Sequence, residues 1–313
     1  MQTIEDEIKQ KAKSSGFDLI GITAAEPVDS ANIEHFKKWL FAGCNGKMAW
    51  LANNIDKQFN PVLLLPEAKS VICTAINYKT LNQSKYIASY ALYQDYHGFI
   101  KKKLLELAGF VKNKISKNLK FKICVDSAPL AERALAERAG LGFIGKNHLL
   151  TNPQFGSFLL LGELITNLPL IPDKPIQKKD FCKSCNACID ACPIGAISKN
   201  RFFDARECIS YLTIEHKGRI PEELKSKINS HLFGCDRCIL ACPYNEKAPV
   251  CKNSDFKLSP DRQKISAHQI LKFSQKDFDA LFADSVISRA GLRQLKRNAL
   301  ICLKNVIIKQ NKK

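Results

Sequence analysis

The chain contains no run of about 18 apolar residues, so no helix in it is expected to cross a membrane. Its first ten residues, Met1-Gln-Thr-Ile-Glu-Asp-Glu-Ile-Lys-Gln, read as the start of a charged amphipathic helix and not as a secretory leader. Thirteen cysteines in 313 residues without such a leader argue against a disulfide framework and for a cytoplasmic setting. Two nucleotide-binding patterns are also missing. The glycine-dense run Gly140-Leu-Gly-Phe-Ile-Gly-Lys-Asn147 has its third glycine at the wrong spacing for a dinucleotide fingerprint, and a predicted helix precedes it instead of a strand. Asn147 follows Lys146 where a P-loop needs Ser or Thr. The run is read instead as a loop whose backbone approaches a large flat ligand. A third pattern fails at one position. Asp95-Tyr-His97 opens the D-x-H-x-x-G motif of histidine-ligated cobalamin, but Ile100 stands where Gly is required, so His97 is expected to cap or pack near a helix start. Acidic residues are outnumbered, 30 against 48 Lys and Arg, and residues 243–313 hold +9 of the net +18. A basic region of this size suits a polyanion such as RNA; the alternative is an ordinary lysine-rich surface.

What the chain does have is concentrated between Cys182 and Pro243. Cys182-Lys-Ser-Cys185-Asn-Ala-Cys188-Ile-Asp-Ala-Cys192-Pro193 is a complete C-x2-C-x2-C-x3-C-P run. Cys235-Asp-Arg-Cys238-Ile-Leu-Ala-Cys242-Pro243 lacks one cysteine, and Cys208 stands between the runs to supply it. Eight thiolates suffice for two [4Fe–4S] clusters, and in two-cluster ferredoxins the fourth cysteine of a run ligates the other cluster. The pairing expected is therefore Cys182, Cys185, Cys188 and Cys242 on one cluster, and Cys192, Cys208, Cys235 and Cys238 on the other. Structural zinc, the competing use of C-x2-C, has no need of the longer run. Cys73, Cys124 and Cys302 are expected to be small core residues, and Cys44 and Cys251 bystanders.

The remainder alternates between helical and strand patterns. Helices are expected at residues 4–15, 33–41, 95–117, 130–139, 204–213 (carrying Cys208), 221–231, 266–273, 276–282 and 291–308. Apolar strands are expected at residues 17–23, 70–77, 121–125 and 158–166. Asp126 sits where the third of these strands ends. A carboxylate in a turn at a strand end is placed for chemistry, and equally well placed to cap the next helix. Glu132, Arg133, Glu137 and Arg138 on that helix read as surface ion pairs. The last helix carries Arg289, Arg293, Lys296, Arg297 and Lys304 beside an apolar stripe, so it either packs on the cysteine module or faces a phosphate backbone. The expected class is α+β: an α/β domain over residues 1–170, a two-cluster ferredoxin-like module over 171–250, and a short all-α, repeat-like basic segment over 251–313.

Several stretches together resemble the epoxyqueuosine reductases. They are Asp95-Tyr-His97, Val125-Asp-Ser-Ala-Pro-Leu-Ala-Glu-Arg133, Ala136 to Asn147, Gly162-Glu-Leu-Ile-Thr-Asn167, the first cysteine run, Cys208 to Gly218, and Phe233 to Asn245. Ferredoxin runs alone are common; this combination is specific. The resemblance implies an oxidoreductase that reduces epoxyqueuosine to queuosine at wobble position 34 of tRNAs with a GUN anticodon. It implies two [4Fe–4S] clusters feeding a base-off cobalamin held between the N-terminal domain and the cluster module, which would thus be a cobalamin-binding domain. It also implies that Asp126 is the proton donor. By position, corrin contacts fall at Gln58, Ala88, Asp126, Leu150, Leu161, Ser210 and Asp236. Some relatives carry Arg at the position of Gln58 and Cys at that of Ala88, so a mechanism built on that cysteine does not transfer. An external one-electron donor of flavodoxin or ferredoxin type and a monomeric enzyme are expected, with Lys217 and Arg219 as candidate phosphate contacts. Some members have longer C-terminal repeats, so part of the tRNA grip is expected to be missing. Two other readings are a corrinoid reductase of a small molecule, akin to reductive dehalogenases, and a plain electron carrier. The first predicts no use for the basic C-terminal region, and the second leaves residues 1–181 without a task.

Overall fold

In a computed structural model the chain is described at residues 2–177, 181–198, 200 and 202–310, with side chains to residue 307. A four-stranded sheet forms the centre of the N-terminal half. Its strands are β1 (Leu19–Ala24), β2 (Ser70–Asn77), β3 (Phe121–Cys124) and, after a small hairpin of β4 (Phe143–Ile144) and β5 (Leu150–Thr151), β6 (Leu159–Thr166). The order is β1-β2-β6-β3, and every pairing in it is antiparallel. The α/β expectation for this half is corrected accordingly. Residue periodicity reports burial of a strand's faces but not the direction of its neighbour. All eight residues of β2 are buried, because helices cover both faces of the sheet.

One face carries Ile22, Ile72, Ile76 and Leu164 against Ile8 and Ala12 of helix Ile4–Ser14 and Ile100, Leu104 and Leu107 of helix Tyr96–Lys114. The opposite face carries Val71, Cys73, Ala75, Cys124 and Ile165 against Leu135 and Ala136 of helix Glu132–Arg138. Cys73, Cys124 and Cys302 are core thiols, as expected. The expected helix over 204–213 is broken. A 3-10 turn Ala205–Glu207 precedes Cys208, which is extended and caps helix Ile209–Ile214. Leaving the helix at Cys208 frees that residue from helical geometry within the cysteine module.

The cysteine module is fastened to the sheet domain by side chains that satisfy its backbone carbonyls. Lys79 Nζ donates to the carbonyls of Asn245 (2.7 Å) and Ala248 (2.6 Å). Lys146 Nζ donates to those of Lys183 and Cys185, both at 2.9 Å. Trp39 Nε1 donates to Phe203 O at 2.6 Å. At the other side, the helices after residue 264 share a core with Ile87, Ala91 and Leu92, and helix Leu292–Gln310 lies along the module. Gln294, Asn298 and Asn305 turn amides inward to carbonyls of residues 213, 214, 232, 225 and 229. Arg297, one of the candidate phosphate residues, is spent in the same way: its guanidinium donates to the carbonyls of Leu212, His216 and Gly218. Among the described residues no helix is long and apolar enough to cross a membrane.

Candidate active site at the seam of the cysteine module

Asp126 lies just past β3 with φ +53°, a left-handed conformation that Asp adopts more readily than most residues. Two tethers hold it. Its backbone N–H donates to Glu132 Oε1 at 2.6 Å, and its Oδ2 lies 3.0 Å from His97 Nε2. The side chain is 55% exposed, so its carboxylate is open on one side. The Ala131 N–H closes the loop by donating to Gln58 O at 2.7 Å, which brings Gln58 beside it.

His97 was expected only to cap or pack near the helix start. It does sit in the first turn of helix Tyr96–Lys114, stacked on Tyr96, but its ring spans two carboxylates. Nδ1 lies 2.6 Å from Asp95 Oδ1, which fixes the ring, while Nε2 faces Asp126. Arg289 Nη1 stands 3.2 Å from the same Nε2. Burial alone pushes the imidazole pKa down; the hydrogen bonds to Asp126 and Asp95 outweigh it and raise the pKa above the ordinary histidine value. With both nitrogens engaged, His97 is not free to ligate a metal.

The other residues expected at a corrin divide. Ala88 N donates to Phe233 O at 2.9 Å, and Ser89 N donates to Asp236 Oδ2 at 2.6 Å, so Ala88 and Asp236 meet where the cysteine module joins the sheet domain. Gly234, with φ +71°, has room for no side chain there: a Cβ would stand 2.6 Å from that of Ala88. Ser210 is on the helix that Cys208 caps. Tyr90 ties the two sides together, since burial and the nearby charges of Asp236 and Asp126 all raise its phenol. Leu161 is partly exposed on β6, whereas Leu150 is 4% exposed and its side chain belongs to the core under helix Glu132–Arg138. The glycine-dense run is occupied by the chain itself. A Cβ on Gly142 would meet Thr151 O at 2.6 Å, and one on Gly140 would meet Lys174 O at 2.7 Å, so the glycines allow chain-on-chain packing.

The thiols of the two runs lie close enough to raise one another. Burial raises Cys188, and Cys182, Cys242 and Cys185 add to the effect. Burial likewise raises Cys235 to about 12, with Cys208 and Cys192 contributing, while Cys238 feels Cys208, Cys235, Cys188 and Cys192. Among the described residues no three His, Cys, Asp or Glu side chains close on a single ion. Thiols gathered near one another without closing on a single ion suit a cubane, whose ligands surround a cage and not a point.

The expected surface ion pairs on helix Glu132–Arg138 are instead structural and largely inward. Arg138 donates to Thr23 Oγ1 and to the carbonyls of Ala24, Glu26 and Pro27; Arg133 donates to His148 O; Glu137 accepts from Ile144 N. Sequence reasoning also passed over Glu163, fully buried in β6. The available signal was a single carboxylate within Leu159-Leu-Leu-Gly-Glu163-Leu-Ile-Thr166.

A two-cluster cysteine module closed against an α+β domain, with a carboxylate–histidine pair at the seam, defines an iron–sulfur oxidoreductase. Residues 181–245 match the family described as "4Fe-4S double cluster binding domain", and residues 59–127 match "Epoxyqueuosine reductase QueG, DUF1730". The epoxyqueuosine reductase of Francisella cf. novicida is 38% identical over 92% of this chain and 83% of its own length. That of Cyclobacterium marinum is 39% identical over 95% and 97%. A crystal structure of epoxyqueuosine reductase with an epoxyqueuosine-modified tRNA-Tyr stem loop superposes with a TM-score of 0.87 at 33% identity, covering 96% of this chain and 81% of that one. A Bacillus subtilis epoxyqueuosine reductase structure (TM-score 0.86, 32% identity, 96% and 81% covered) has its catalytic aspartate loop swung out of the active site. The chain belongs to the epoxyqueuosine reductase family.

Proposed function

We propose that this chain reduces epoxyqueuosine to queuosine at position 34 of tRNAs with a GUN anticodon. The observation that carries the reading is Asp126, held open at a strand end and hydrogen-bonded to His97, beside the seam with the cysteine module. Conversion of an epoxide to an alkene takes up two electrons and two protons and releases water. Two [4Fe–4S] clusters and a base-off cobalamin, when bound, supply the electrons one at a time. The protein's part is position and protons. Asp126 delivers a proton to the departing oxygen from its open side. His97 Nε2, 3.0 Å behind it, supplies a further proton, and Asp95 holds the ring so that Nε2 faces Asp126. Gln58, Ala88, Leu161, Ser210 and Asp236 would hold the flat cofactor at the seam, while the imidazole beside Asp126 is already engaged by Asp95 and Asp126. Leu150 is left a backbone contact at most. The grouping of thiols supports Cys182, Cys185, Cys188 and Cys242 on one cluster and Cys192, Cys208, Cys235 and Cys238 on the other.

The layout we assign is a cobalamin-binding domain over 1–170, the cluster module over 171–250 and a basic helical segment over 251–313. Arg219, whose side chain is 85% exposed beside Glu222, Lys217, which reaches only the Ile214 carbonyl at 3.2 Å, and the exposed Arg293 would contact the anticodon stem through phosphates. An external one-electron donor, a monomeric state and a cytoplasmic setting complete the proposal. Anaerobically reconstituted protein should hold about eight irons and one corrinoid, and should turn over epoxyqueuosine-tRNA. Full turnover by Asp126→Asn would remove the proton-donor assignment.

A further inference from the structure

The carboxylate that holds Asp126 in place is not alone. Glu132 accepts the Asp126 N–H at 2.6 Å, and its carboxyl faces that of Glu163, on β6 beneath the helix that carries Glu132. Glu163 is 0% exposed, and no donor among the described residues reaches either of its oxygens. In β6 it stands directly opposite Cys73 of β2 and Cys124 of β3, under helix Glu132–Arg138. Two ionised carboxylates cannot share so apolar a space; one proton between them turns the clash into a hydrogen bond. Glu163 has no other polar partner and carries the proton. Glu132, already accepting from an amide, is the ionised member.

The groups that face the pair are few. From the sheet they are the Cys73 and Cys124 thiols; from the helix, Arg133 beside Glu132; from the loop, Asp126; and from helix Tyr96–Lys114, the Tyr96 phenol, which feels Glu132. Arg133 directs Nη1 to His148 O, and Arg138 is spent on the carbonyls before Val28. No guanidinium replaces the proton of Glu163.

We propose that Glu163 and Glu132 form a proton-sharing latch that sets whether the Asp126 loop is seated or withdrawn. Glu163 donates to Glu132, Glu132 grips the Asp126 amide, and the left-handed turn is thereby held with its carboxylate toward His97. Without the Glu163 donor, Glu132 is a half-buried charge with one partner fewer. It gains by turning outward to water, and the loop leaves with it. The latch concerns position only: neither glutamate touches the reacting atoms. This inference rests on Asp126 being the proton donor, but the latch itself can be read without substrate.

The test compares full-length, cluster-loaded Glu163→Gln, Glu163→Leu and Glu132→Gln with the unaltered protein. Deuterium uptake of the peptide spanning Asp126–Leu130 reports the loop, and single-turnover reduction of epoxyqueuosine-tRNA reports its consequence. E163L should exchange the loop at least ten-fold faster and slow the single-turnover step by a similar factor, with tRNA affinity within two-fold. E163Q, whose amide still donates to Glu132, should restore most of both. E132Q keeps an acceptor without charge and should fall between them, which also covers the case in which E163L does not fold. Loop exchange equal in all the folded variants overturns the latch. Altered loop exchange in a protein that does not reduce epoxyqueuosine-tRNA at all would sustain the latch and overturn the function proposed above.

Discussion

Replacing His97 with Gln separates two roles that the geometry assigns to this side chain. Gln keeps a donor for Asp126 Oδ2 but cannot store a proton. A hydrogen bond to a charged group is worth about 1.5–3 kcal/mol and a neutral one about 0.5–1.5, so the substitution forfeits about 1 kcal/mol of grip on Asp126. The Asp126 side chain is 55% exposed, and solvent screening lowers that to about 0.5 kcal/mol. If His97 only positioned Asp126, the rate would fall about two-fold at every pH. As a proton store it carries part of a general-acid step, and the loss should be about 30- to 100-fold. The pH profile decides between them. The folded-state pKa of His97 lies above its ordinary value, because hydrogen bonds to Asp126 and Asp95 outweigh burial. The imidazolium–Asp126 tie is therefore complete below about pH 6.5 and is lost as pH rises through the raised pKa. Single-turnover rates with pre-reduced protein should show an alkaline limb that starts above that pH. In H97Q the limb should vanish, with tRNA affinity unchanged. A two-fold loss that preserves the alkaline limb would refute the proton-store role.

Three further outcomes follow from separate parts of the molecule. Cys208→Ala should lower iron content by about four per chain, one cubane, while Cys44→Ala, at a buried thiol outside both groups, should leave it unchanged; iron analysis of anaerobic preparations checks both. Gly234→Ala places a Cβ against Ala88 at a positive φ, so it should destabilise the protein by more than about 1 kcal/mol and weaken corrinoid retention, measured by denaturation and by absorbance after gel filtration. Arg297→Ala strands the carbonyls of Leu212, His216 and Gly218. It should cost about 3 kcal/mol of stability, a fall in Tm of roughly 4–5 °C, with iron content retained.

Much of the fold was legible because it depends on local pattern. β2 occupies the residues expected for it, 70–77, since eight consecutive buried positions read as an unbroken apolar run between breaks. Helix Leu292–Gln310 was visible in the helical spacing of residues such as Leu295 and Ala299, both buried, although Leu300 in the same stripe is exposed. Strand direction was not visible, and an antiparallel sheet replaced the α/β expectation. Nor was the role of polar residues on helices. Arg138 and Arg297 resemble surface charges by type and spacing, and only packing shows that each satisfies several backbone carbonyls. The glycines at 140 and 142 signalled close approach correctly, but the approaching group is the chain's own backbone.

The sequence by itself determined the cysteine chemistry, because the reach of a ligand set around a cluster is written in spacings of two and three residues. The same holds for the family, since the motifs that carry it are contiguous. Tertiary structure alone decided the site. His97, Asp126, Glu132 and Glu163 come from a helix start, a strand end, the next helix and the central strand. Antiparallel pairing of β3 with β6 puts Glu163 under the helix that follows Asp126. Whether a carboxylate there is a solvated charge or half of a shared proton depends on its burial and its neighbour. Neither is encoded in the residue's type or in its distance along the chain.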